Sequence, residues 1–430
     1  MSETNTNTTG GTNNDTTNNT RGNAKNGANG ANGANGAMPF IPLSMPNISG
    51  NERKYVDEAI DTTWVSTGGA FINRFEAAIA DYLKVGSAVA CQSGTAGLHL
   101  AMIAAGVKAG DEVIVPTLTF IAAVNPVKYI GAEPVFMDCD DSLCMDSRKV
   151  RQFCEEECEF DGEKLVDKGT GRHVSAIVVV HVFGNLADLE ELVDIADKYN
   201  LKLIEDATEA LGSRYGYGKF KDRYAGTIGD AGVYSFNGNK IITTGGGGMM
   251  VARDAEVLEH CRHLSTQAKE DPLYFIHDEI GYNYRMTNLQ AALGLAQLER
   301  LEEFVEIKNQ NYKRYVENGV ELLPFRPDIR SNRWFYSYMT SGADERDRLI
   351  QFMNERNVQC RPVWALIHSL KPYEGSRTYQ IEKAVYYHDR IVNIPCSTNL
   401  SEGDVDRVSE LIREFEQGAG EGRGSADTQY

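Results

Sequence analysis

Between its two polar ends the chain alternates short apolar runs with segments of helical period, and this alternation restricts the fold more than any other feature. SAVACQ, DEVIVP, EPVFMD, SAIVVVHV and LKLIED are runs rich in Val and Ile, bounded by Gly, Pro or Asp. Such runs read as strands covered on both faces, because a strand wetted on one face alternates apolar with polar residues. NERKYVDEAIDTTW, RFEAAIADYLKV and TAGLHLAMIAAG place apolar residues at helical spacing between or before them. Strands and helices in that order predict an α/β fold with a parallel or mostly parallel sheet and helices on both sides.

A chain of 430 residues that is 42% hydrophobic is long for one compact body, so a large domain plus a smaller one is expected. Residues 38–284 form the expected large domain. From 285 to 416 a long helical pattern, RMTNLQAALGLAQLERLEEFVEIKNQNYKRYVENG, leads into WFYSYMT and QCRPVW, read as strands. DERDRLIQFMNER and EGDVDRVSELIREFEQ, read as helices, complete a smaller C-terminal α+β domain. Residues 1–37, rich in Asn, Thr and Gly, lack the apolar side chains that offset ordering entropy and are expected to be disordered, as is a second tail at 417–430.

The formal net charge is −18, and an acidic body of this kind is a poor partner for nucleic acid or anionic membranes. The apolar stretches are too short to span a bilayer. The eight cysteines show no CxxC pair and no histidine among the group Cys139, Cys144, Cys154 and Cys158, so no metal site is expected and the thiols read as those of a reduced, cytoplasmic protein.

In an open α/β sheet, ligands bind at the carboxyl ends of the strands, and the chemically capable residues fall there. Ser93, Gly94, Thr95 and Ala96 follow SAVACQ where a helix begins, a setting that suits a phosphate or simply an N-cap. Phe120 follows DEVIVP and offers a ring to stack on, or a plain core residue. His181 in HVFGN faces a ligand or is satisfied in the core. Asp206 ends LKLIED, where it caps a helix beginning ATEAL or meets a buried cation; Glu209 lies three residues on, within reach of a ligand or completing a capping box. Lys240 follows AGVYSF, with its hydroxyl at Ser235, and precedes TTGGGG, which fits neither a P-loop nor a nicotinamide site. An amine at one strand end and a carboxylate at another are what pyridoxal phosphate needs: the amine condenses with the aldehyde, and the carboxylate keeps the pyridine nitrogen protonated.

WVSTGG, SGTAGLHLA, GDEVIVPTLTFIAAVNPV, GAEPVFMD, HVFGN, IEDATEA, GDAGVYSFNGNK, GGGGMM and GYNYRMTNLQAALGLAQLE, in this order from Pro39 to Glu416, resemble the DegT/StrS-type sugar aminotransferases, which use pyridoxal phosphate on an aspartate aminotransferase-like fold of type I. The resemblance implies Lys240 as the lysine that carries the cofactor and Asp206 as the partner of its ring nitrogen. Glu209 matches a residue near the cofactor hydroxyl, Gly94, Thr95 and Ser235 match phosphate ligands, and Phe120 matches the stacking ring. Asn283 matches a residue that reaches the phosphate of a neighbouring subunit, which implies a homodimer with shared active sites. Asn237 stands where many members carry histidine. Related dehydratases replace the lysine, so its presence implies amino transfer.

FIPLSMPNISGNE, SFNGNKIITTGGGG, QCRPVWALIH and VNIPCSTNL resemble the branch that aminates C4 of a nucleotide-linked 2-acetamido-2,6-dideoxy-4-keto hexose on the way to bacillosamine and legionaminic acid, with L-glutamate as donor. A 3-amino or other keto-sugar transaminase, or a non-catalytic PLP-binding regulator, are the alternatives. Thr67, Lys269, Trp364 and His368 are candidate substrate neighbours.

Overall fold

The computed structural model describes residues 38–424, and the expected tail at 1–37 lies outside the described residues, as do 425–430 of the second one. Contacts gather the chain from Phe40 onward into one compact unit.

The apolar runs become strands β1 (Val89–Cys91), β2 (Glu112–Pro116), β3 (Glu133–Met137), β4 (His173–Val180), β5 (Lys202–Asp206), β6 (Ala231–Ser235) and β7 (Gly248–Ala252), joined at one edge by β8 (Arg377–Tyr379). Their order across the sheet is β1-β7-β6-β5-β4-β2-β3-β8. All run parallel except β7, which opposes both neighbours. A hairpin, Cys158–Phe160 and Leu165–Asp167, hangs on β4 and brings the sheet to 10 strands. Every residue of β2 is buried, and β4 and β5 are buried after their first residue, as expected of strands covered on both faces.

Helices α1 (Glu52–Asp61) and α2 (Ala70–Leu83) precede the sheet, and α3 (Gly94–Ala104) follows β1 at once. The long helical pattern divides at Glu299–Arg300 into α4 (Asn288–Leu298) and α5 (Leu301–Glu317). Thr287 starts α4 with a full capping box: its hydroxyl accepts from Gln290, whose side chain accepts from the Thr287 amide. WFYSYMT and QCRPVW supply Tyr336–Met339 and Arg361–Pro362, which flank Ile391–Ile394 in a three-stranded antiparallel sheet. The last helix, α6 (Glu402–Gly424), runs past Gln417, where the sequence reading begins a tail.

Two further features depart from the sequence reading. ATEAL is not a helix: residues 207–213 form turns after β5. And β8, from the stretch expected to build the smaller domain, pairs with β3 in register Arg377↔Val135, Thr378↔Phe136 and Tyr379↔Met137.

Candidate active site

The carboxyl ends of β1, β2, β5 and β6 open into one cavity of about 600 Å³. Ser93, Gly94, Thr95, Phe120, Asp206, Glu209, Ser235, Asn237, Lys240 and Trp364 all line it. Residues separated by up to 271 positions in sequence thus converge at one strand-end face, the usual ligand position of this architecture.

The wall that suits a phosphate is built by close backbone approach. Ser93 caps α3 by accepting from the Ala96 amide at 3.1 Å, so its hydroxyl takes the bland role, while the amides of Gly94 and Thr95 open the helix toward the cavity. A Cβ on Gly94 would lie 2.8 Å from Thr208 Cγ2 and 3.0 Å from Ser235 Cβ. From the far side the glycine run presses in: a Cβ on Gly248 would stand 2.7 Å from the Ser93 carbonyl carbon. Only glycine lets these backbones meet.

Facing that wall are three ionisable groups. Asp206, 3% exposed, accepts from the Thr208 amide at 3.0 Å, a local turn bond in place of the expected helix cap. Burial raises its pKa against the pull of Thr208 and Lys240. Glu209 accepts from the Phe183 amide at 2.8 Å and completes no capping box; burial pushes it up to about 7, against the nearby Lys240 charge. Lys240 Nζ lies 3.7 Å from Glu209 and 4.0 Å from the centre of the Trp334 ring. Burial lowers its pKa, with Glu209 and Asp206 opposing. A downward shift favours the neutral amine, the form that acts as nucleophile and base.

Phe120 stands 52% exposed at the cavity mouth, its ring 6.4 Å from that of Trp364. His181 resolves to the core alternative: Nδ1 accepts from the Ala187 amide at 3.2 Å, so Nε2 carries the proton and donates to Glu205 at 3.0 Å. Four other expected residues lie off the cavity of their own chain. Thr67 and Asn283 are exposed; Lys269 sits over the Phe275 ring at 5.4 Å; His368 Nδ1 pairs with the Thr117 hydroxyl at 2.6 Å.

Sequence reasoning missed Trp334, Thr208, Asn239, Arg361 and Asn393, which also line the cavity. Trp334 looked like one apolar residue of a strand; its position follows from tertiary packing, with Nε1 donating to the Asn239 carbonyl at 2.7 Å. Arg361 is exposed and, among the described residues, pairs with no carboxylate. It is the one cation besides Lys240 on the described lining.

These residues fit pyridoxal phosphate. The Gly94 cradle has no room for a Cβ, the buried Asp206 carboxylate has no cation within ion-pairing distance among the described residues, and a buried amine faces the same space. Thr95, Ser235 and the first amides of α3 would hold the phosphate, Asp206 the ring nitrogen, Phe120 a ring face and Lys240 the aldehyde carbon.

Comparison with known proteins points to the same family of enzymes and the same cofactor. The DegT/DnrJ/EryC1/StrS aminotransferase family matches residues 46–413. GDP-perosamine synthase of Escherichia coli O157:H7 is 38% identical over 382 residues, covering 88% of this chain and 99% of that protein. The putative pyridoxal phosphate-dependent aminotransferase EpsN of Bacillus subtilis (strain 168) is 35% identical over 380 residues, covering 86% of this chain and 94% of that one. Among solved structures, the aminotransferase TlmJ from Streptoalloteichus hindustanus superposes with a TM-score of 0.79 at 28% identity, over 89% of this chain and 100% of that one.

Proposed function

Because the chain belongs to the DegT/DnrJ/EryC1/StrS aminotransferase family, a family of pyridoxal phosphate-dependent sugar aminotransferases, we propose that it delivers the amino group to C4 of a nucleotide-linked 4-keto hexose, with L-glutamate as donor. The carrying observation is Lys240, Asp206 and Glu209 on one cavity, the two carboxylates buried and the lysine side chain 12% exposed, in a chain similar over 88% of its length to an enzyme named for perosamine, a 4-amino sugar. The motif resemblance favours a 2-acetamido-2,6-dideoxy sugar of the bacillosamine and legionaminic acid type. The similarity to GDP-perosamine synthases favours a GDP-linked sugar as the second reading.

The cofactor, when bound, supplies a carbonyl that takes up the amine and a ring that accepts electrons. Asp206 would keep a proton on the ring nitrogen. With the cofactor in place, the Lys240 amine would act as the base that takes the proton from the donor α-carbon. Glu209, its pKa pushed up to about 7 by burial and 3.7 Å from Lys240, would share a proton with that amine. Trp334 and Phe120 keep water from the reacting face. Asn283, exposed in its own chain, is assigned to the phosphate of a second copy, and the exposed Leu273, Tyr274, Phe275 and Ile280 are apolar surface that such a dimer would cover.

Both substrates use one site in turn, so initial rates with glutamate and sugar both varied should give parallel reciprocal plots. Intersecting plots would refute the scheme. A panel of UDP- and GDP-linked 3-keto and 4-keto sugars tests the position: 4-keto sugars should turn over at least about tenfold faster in kcat/KM, a ratio worth about 1.4 kcal/mol, and faster 3-keto turnover would overturn the C4 assignment.

Arg361 is assigned to an oxyanion of a substrate, the donor carboxylate or the diphosphate, since a guanidinium pairs with either in bidentate fashion. Arg361→Gln should raise KM for one of the two substrates by about 10- to 100-fold, which corresponds to about 1.5–3 kcal/mol for a charge-assisted hydrogen bond. Unchanged KM for both would remove Arg361 from the site.

A further inference from the structure

Asn332 lies outside the cavity lining, fully buried at 0% exposure, yet its side chain is bonded to the backbone of two neighbours of Lys240, Glu209 and Trp334. Its Nδ2 donates to the carbonyls of Glu209 at 3.0 Å and Leu211 at 2.9 Å. Its Oδ1 accepts from the Trp334 amide at 3.0 Å, which also donates to the Phe183 carbonyl at 3.0 Å. The Phe183 amide in turn donates to the Glu209 carboxylate. The Asn332 backbone is held as well, its amide donating to Ser213 Oγ at 2.9 Å. The loop thus closes through Glu209, Phe183 and Trp334, with Asn332 as the member that touches two of the three.

The segment HVFGN, otherwise without a role here, is shaped to admit this side chain. Phe183 and Gly184 both take positive φ, 56° and 89°, and a Cβ on Gly184 would lie 1.9 Å from Asn332 Oδ1. Only an amide serves at position 332, because two carbonyls need donors and one amide needs an acceptor at the same place. A carboxylate would face two carbonyl oxygens, and an apolar side chain would leave the two buried carbonyls of Glu209 and Leu211 without this donor and the Trp334 amide with only its bond to Phe183.

We propose that Asn332 is a positioning residue that holds Glu209 and the Trp334 ring on two sides of Lys240, and so fixes where the reacting amine points. Lys240 faces Asp206, Glu209 and Trp334, and Asn332 controls two of these three. The inference rests on Lys240 being the reacting amine, and not on which sugar is aminated.

The test is a pH titration of the visible absorption of the holoenzyme, which follows protonation of the nitrogen that Lys240 shares with the cofactor. Asn332→Asp keeps the acceptor for Trp334 but loses the donor and adds a negative charge. Its titration midpoint should rise by about one unit, as expected for a new charge or a change in burial beside an ionisable group. Asn332→Ser, which releases both neighbours, should move the midpoint by at least about half a unit and shift tryptophan emission to the red as Trp334 gains water. A lowered Tm with unmoved midpoint and emission in both variants would show a purely structural asparagine and overturn the proposal. If neither variant folds, Trp334→Ala measured the same way decides: a shifted midpoint supports the positioning role and an unmoved one refutes it. A wild type without a lysine-linked band would refute this role and that of Lys240 together, which separates that failure from failure of the sugar assignment.

Discussion

Lys240→Ala is expected to lose amino transfer by on the order of 10⁴-fold while keeping its fold, because one residue supplies both the attachment point and the base. Of the ionisable groups on the described lining, Lys240, Asp206, Glu209 and Arg361, Asp206 is assigned to the ring nitrogen in this proposal and Arg361 cannot give up its proton. Glu209, poised at about 7 and 3.7 Å from the amine, is the one group left to move protons, so a small residual rate should follow its titration. Single-turnover conversion with L-glutamate measures the loss, and borohydride should fix the cofactor to the wild-type chain but not to the variant. A variant retaining more than about a hundredth of the rate would place the base elsewhere, since one general base is worth about 10²–10⁴-fold. Added small amines should restore part of the activity to the alanine variant.

Asp206→Asn carries the second large effect, and it has opposite signs with and without cofactor. With cofactor, losing the carboxylate removes the group that keeps the ring nitrogen charged, and activity should fall by about 10²–10⁴-fold, as for other catalytic charge partners. Without cofactor, the same carboxylate is a liability. Burial raises its pKa in the folded chain above the ordinary value of 3.8. Between that value and the raised one the folded state holds a proton that the unfolded state has released, so stability falls as pH rises through this window. The penalty is complete above the raised pKa. Asparagine has no such titration and still accepts from the Thr208 amide. Cofactor-free Asp206→Asn should therefore melt at or above the wild-type temperature at pH 7, and the difference should vanish near pH 3. A cofactor-free variant that melts well below wild type at pH 7 would contradict this.

Strand runs were legible because burial on both faces leaves an unbroken apolar word in the sequence, as in DEVIVP and LKLIED, which become β2 and β5. Lys240 and Asp206 were legible for a related reason: a charged residue next to such a word has to be explained by a partner. β8 was not. RTY has no apolar run, and it becomes a strand only because β3 offers it backbone hydrogen bonds at the sheet edge. Trp334 and Asn332 were hidden because their roles are fixed by what lies across from them, Lys240 in one case and the carbonyls of Glu209 and Leu211 in the other. The helix read at ATEAL failed where local propensity lost to the Asp206–Thr208 turn and to the bonds that hold Glu209 to Phe183.

The late arrival of β8 has a consequence during synthesis. β3 is complete once residue 137 has emerged, but its outer edge stays open until residues 377–379 leave the ribosome. For more than half of translation the nascent chain carries an unpaired, apolar parallel edge, the kind of surface that recruits other strands. The cavity shares this delay, since Leu43 near the start and Asn393 near the end both line it. The growing chain thus has no finished pocket in which to capture cofactor, and pyridoxal phosphate can stabilise only the completed product, by mass action on the native state.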